Sequence, residues 1–169
     1  AMFRTIPIGK ADPKHHKMHE ACVEALKNCE SKLKPGNKVG EVFDIHAKTL
    51  DEHGYKNSRM NACGYSLGST FAPNWMDVPP MIFTGNPLII KPGMVFFMHM
   101  ILMDSEAQLA MNLGETYLVT ETGNERLGKQ KLNLVFCASS YDIRKPLSIF
   151  PSVSRAYFVS IFFTCEKFC

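Results

Sequence analysis

Two helical periods in succession, separated by a Pro-Gly pair and followed by strands, constrain this chain more than any other feature. From Lys14 to Lys34 the residues Met18, Cys22, Ala25, Leu26, Cys29 and Leu33 recur at three- and four-residue steps. That is the period of a helix with one apolar stripe. Asp12-Pro13 opens it, because Asp accepts from the free N–H groups of the first turn and Pro has no N–H to lose there. Pro35-Gly36 stops it. Val39, Val42, Phe43, His46 and Leu50 then repeat the helical step, and Gly54 supplies a C-terminal stop. Two helices with one stripe each need a shared apolar surface, and a sheet provides one.

Strands are expected on both sides of the helices. Phe3 to Ile8 is short and apolar, ending at Gly9, and Asn61 to Leu67 is bracketed by glycines. Ser69 to Pro87, rich in Pro, Gly and Asn, reads as an ordered loop. Lys91-Pro92-Gly93 is a turn into Met94–Met103, an apolar run that fits a strand buried on both faces. Leu113 to Glu121 is a further strand closed by Gly123. The fold class predicted is α+β, with two amphipathic helices on a mixed, mostly antiparallel sheet. Residues 129–169, beyond the domain over 1–128, show no sustained period and read either as a hairpin packed on that domain or as a tail of unsettled structure.

The 169 residues suit one domain with its own core. A net charge of +3 with no basic run argues against nucleic acid. No stretch approaches the roughly 18 apolar residues of a membrane span, and the start, Ala1-Met2-Phe3-Arg4-Thr5, has no signal-peptide pattern. Six scattered cysteines without a CxxC pair read as reduced thiols, so a cytoplasmic location is expected.

Several segments, in order, resemble the pita-bread family of methionine aminopeptidase, prolidase and creatinase. Arg4-Thr5 with Gly9 is similar to the end of its D-x-T-R-T…G strand. The two helices follow, with Leu33-Lys34-Pro35-Gly36 at the helix–turn position. Lys91 to Phe96 is similar to its P-G-M-V-F turn and strand, and Glu115 to Leu127 to its closing V-T-E-x-G-x-E strand. Gly64 to Trp75 also resembles the creatinase-like branch that contains ectoine hydrolases.

The resemblance implies hydrolysis of a C–N bond in a small peptide or zwitterion. It further implies a pair of divalent metal ions (Mn, Fe, Co or Zn) held by two Asp, one His and two Glu. One Asp position lies upstream of Ala1 and the other falls on Ala1. The His falls on Tyr65, and a second, substrate-side His falls near Ala72. The first Glu falls on His99, and the last falls on Gly114 by strict count or on Glu115 after a shift of one residue. His99 and Glu115 are therefore the candidate catalytic and metal-ligating residues, with Tyr65, Trp75 and Asp77 as substrate contacts. Creatinase, which keeps the fold and cleaves a C–N bond without metal, implies that a cofactor can be dispensed with.

Each residue also has a plainer reading. His99, between Met98 and Met100, is either a general base or a satisfied core histidine; Glu115 is a site carboxylate or a strand end; Tyr65 is a substrate contact or a packed aromatic. Trp75 fits a loop plug as well as a pocket wall, and Asp104 a strand end. His15, His16 and His19 read as a solvated helix start, since no Glu stands between them as in H-E-x-x-H. The alternative to a hydrolase is a non-catalytic relative that keeps the scaffold for binding. Incomplete sheet edges would favour association, a homodimer included.

Overall fold

The computed structural model describes residues 1–7, 11–68 and 81–135. Among these the order is β1 (Phe3–Arg4), α1 (Pro13–Lys32), α2 (Val39–Glu52), β2 (Gly64–Ser66), β3 (Val95–Asp104), β4 (Leu109–Val119) and β5 (Asn124–Arg126). The sheet runs β1-β4-β3-β2, with β5 also on β4, and its strand pairs are antiparallel. Both helices lie on one face, so the architecture is the α+β arrangement expected.

The helices form for the reasons legible in the sequence. Asp12 accepts from the Lys14 N–H at 2.8 Å, and Pro13 takes the first turn. Met18, Ala21, Cys22, Ala25, Leu26 and Cys29 are buried along α1. Gly36, at φ +90°, makes the turn that β-carbon crowding would resist in another residue. No side chain caps α2. Instead, two free N–H groups of its first turn are taken by the loop before β3: Val39 donates to the Leu88 carbonyl (2.8 Å) and Gly40 to that of Asn86 (3.0 Å). A Cβ at Gly40 would lie 2.8 Å from the Asn86 nitrogen, so glycine lets the loop come this close.

The strands depart from expectation in extent. The Asn61–Leu67 strand shrinks to Gly64–Ser66. The Leu113 strand begins earlier, at Leu109, because Asp104–Leu109 closes a hairpin. Asp104 ends β3 by accepting the Ala107 N–H at 2.9 Å, and Gln108 adopts the left-handed conformation at φ 53°. The segment from Glu115 to Leu127, one strand by resemblance, is a second hairpin whose return is β5. Strand β3 is buried on both faces from Phe96 to Met100 only; Met103, expected in the core, is 58% exposed near the hairpin tip.

The core lies between the helices and one sheet face. It joins Cys22, Leu26 and Phe43 to Phe96, Met98, Met100, Leu102, Leu113 and Tyr117. Leu132 and Leu134 pack against it too, so residues just beyond 128 touch the domain. The histidines of α1 are a correction: His16 is exposed, but His15 is buried with Nδ1 unpartnered among the described residues. Cys22, Cys29 and Cys63 are free, buried thiols.

Gly64 is the tightest point on the β2 edge. A Cβ there would run into the Phe97 carbonyl oxygen and sit 2.9 Å from the Ile82 side chain. Gly64→Ala should therefore cost about 1–3 kcal/mol or more, since backbone must move to relieve it. Urea denaturation would read this, and a change below about 0.5 kcal/mol would contradict so tight an approach.

Candidate functional site

The β3–β4 register decides what each predicted site residue can meet. His99 pairs with Gly114, and Met98 pairs with Glu115. Side chains alternate between faces, and cross-strand partners share one. His99 and Glu115 therefore project to opposite sides of the sheet and do not share a site. Of the two positions considered for the last Glu, Gly114 is the one that faces His99; the one-residue shift to Glu115 moves the side chain through the sheet.

Glu115 lies on the helix side, fully buried. Its Oε1 accepts from Arg4 Nη2 in an ion pair, while Arg4 Nη1 donates to the carbonyls of Gly114 (3.0 Å) and Phe3 (2.7 Å). Oε2 has no partner among the described residues and lies against Gly128, where a Cβ would collide with it. This carboxylate is a packed, paired interior group. The strand-end reading of Glu115 is replaced by that of a buried ion-pair anchor.

The opposite face carries the positions to which the resemblance assigned the ligands. Tyr65 pairs with Phe97 on β3, and Phe3 pairs with Gly114 on β4. The Ala1 carbonyl accepts from Thr116 Oγ1 at 2.7 Å. Ala1, Tyr65, His99 and Gly114 thus come from four neighbouring chain segments to one side of the sheet. The rings between them form an aromatic layer. Phe3 meets Phe97 edge-on at 4.8 Å, and the His99 ring lies 5.7 Å from Tyr65 and 5.8 Å from Phe97. Phe97 is fully buried, with Tyr65 and His99 nearly so.

Burial in this layer pushes the His99 imidazole down to about 4, so it is neutral at physiological pH. Its Nδ1 has no partner among the described residues. No group of three His, Cys, Asp or Glu side chains suited to a metal stands together among the described residues. The donor chemistry agrees, since divalent ions of this class need carboxylates with imidazole, and this face offers Ala, Tyr, neutral His and Gly. The described positions do not fit a two-metal cage. Trp75 and Asp77, with Ala72, lie outside the described residues.

Sequence reasoning missed Phe3 and Phe97. Counting back by two from His99 along an alternating strand would have put Phe97 on the same face.

A half-sheet with helices on one side and these positions on the other defines the class: part of a pita-bread catalytic domain. Residues 1–121 match metallopeptidase family M24, and the chain belongs to that family. It is 26% identical over 127 residues to the ectoine hydrolase of Halomonas elongata, an alignment covering 75% of this chain and 31% of the relative. Among solved structures it superimposes on dipeptidase PepE of Mycobacterium ulcerans with a TM-score of 0.73 at 20% identity, covering 81% of this chain and 35% of that one. The N-terminal domain of FACT complex subunit SPT16 from chickpea has the same fold (TM-score 0.66, 19% identity, 76% and 32% covered). The chain thus spans about a third of the length of these relatives. Enzymes of the family act on small peptides or amides and use divalent metals.

Proposed function

We propose that this chain is a metal-independent member of M24 that uses the aromatic sheet face to bind a small peptide or zwitterion without cleaving it. One observation carries the reading: the ligand positions gathered on that face hold Ala1, Tyr65, His99 and Gly114, with no carboxylate among them. These four positions by themselves supply no carboxylate to hold two dications or to polarise a scissile carbonyl through them. The same fold occurs in the N-terminal domain of a FACT complex subunit, so it is found in a component of a protein complex as well as in peptidases.

Hydrolysis of a C–N bond is the second reading, supported by family membership and by the neutral His99 ring. Its unpartnered Nδ1 could take a proton from water, with Tyr65 beside it as a substrate contact.

The two readings separate in one experiment. The chain is incubated with Xaa-Pro and Met-Xaa dipeptides, with and without Mn²⁺, Co²⁺ or Zn²⁺, and hydrolysis is followed by free amino acid. We expect no turnover above the blank, with NMR shifts at the Tyr65 and His99 resonances on adding peptide. Turnover that disappears in His99→Ala while the fold persists would establish the hydrolase and overturn the binding reading.

A further inference from the structure

We infer that Phe97 is the residue that closes the last ligand position, by occupying the space a side chain at 114 would need. This rests on the metal-independent reading and goes a step further. Position 114 is not merely emptied of a side chain; the space that side chain would need is taken by a ring.

The geometry is specific. A Cβ built on Gly114 would lie 2.6 Å from Phe97 Cζ and 3.1 Å from Cε2, the far end of the ring. Phe97 pairs directly with Thr116, so its ring leans diagonally along the sheet to cover Gly114. Phe3, the direct partner of Gly114 on β1, braces that ring edge-on at 4.8 Å. An aromatic ring laid over a strand glycine restores the apolar packing that the missing side chain forgoes. Phe97 is fully buried yet separate from the helix-side core, so its packing is specific to this face. Residues 97 and 114 are therefore interlocked: a large ring at one requires no side chain at the other. A carboxylate at position 114 would have to displace the ring.

The test is a double-mutant cycle on the full chain, using Gly114→Ala, Phe97→Leu and both together, read by thermal melting. Leucine keeps an apolar side chain but removes the ring tip. Gly114→Ala alone should lower Tm by roughly 5 °C through overpacking. In the Phe97→Leu background the same substitution should leave Tm unchanged or raise it, because the added methyl enters vacated space. The reversal of sign is the expected result. An equal loss of Tm in both backgrounds would overturn the inference, as would Gly114→Glu melting like the unmodified chain. Should Phe97→Leu fail to fold, Phe97→Met serves the same cycle with a flexible end. A separate measurement addresses the reading beneath it. Manganese or zinc retained by the unmodified chain after gel filtration would overturn metal independence and leave the 97–114 result standing.

Discussion

Replacing Arg4 with Met is expected to destabilise the fold by about 3–5 kcal/mol, because it strands a fully buried carboxylate. The aliphatic stem is kept, so the loss reports the charge. Arg4 also donates to two backbone carbonyls, tying β1 to β4 at the sheet edge. Removing both charges, in Arg4→Met/Glu115→Leu, should recover most of the loss, since an apolar pair in this place leaves no ion unpaired. Urea unfolding of the single and double variants measures this directly. A loss below about 1 kcal/mol in the single variant would show that Glu115 is reached by water or another cation. If the single variant does not fold and the double one does, the ion pair is confirmed as the cause.

The second large effect is acid sensitivity driven by histidines. His46, packed beside Phe43 with both ring nitrogens unpartnered among the described residues, is held down to about 3 by burial and then by the Arg59 guanidinium. His99 is held at about 4 by burial. In the unfolded chain both rings take a proton near pH 6.5. Between there and their folded values the unfolded state binds more protons, so stability falls as pH falls. Above about pH 7 the contribution is complete. At pH 5 each histidine should cost about 2 kcal/mol and the two together about 4. That is a large part of the roughly 5–15 kcal/mol that holds a domain. Urea midpoints at pH 7.5 and pH 5 provide the measurement. In His46→Leu, which cannot titrate there, the loss should be halved. A variant that loses as much as the unmodified chain would remove His46 as a cause.

His46 was visible in the sequence only as one more apolar-stripe position, and that is where it sits. The pattern showed that it would be buried but not that its ring nitrogens would lack partners, which depends on what α2 packs against. Glu115 shows the opposite case. Its place in a closing-strand motif made it a plausible ligand, and its actual partner, Arg4, lies 111 residues away in the chain. The aromatic layer was equally hidden, because Phe3, Tyr65 and Phe97 come from three separate strands.

The helices, their stops and the α+β class were determined by the sequence alone, because helical periodicity, an N-cap and a Pro-Gly break act within a few residues of one another. Membership of M24 was legible in the same way, from short motifs in the correct order. The pairing of β3 with β4 is a different kind of fact. It depends on where the hairpin closes, and that is set by the Asp104 turn and the left-handed Gln108. A slip of one residue exchanges the two faces of a strand. Only the tertiary structure could therefore decide that Gly114 faces His99, that Glu115 turns inward to Arg4, and that the Phe97 ring lies over Gly114.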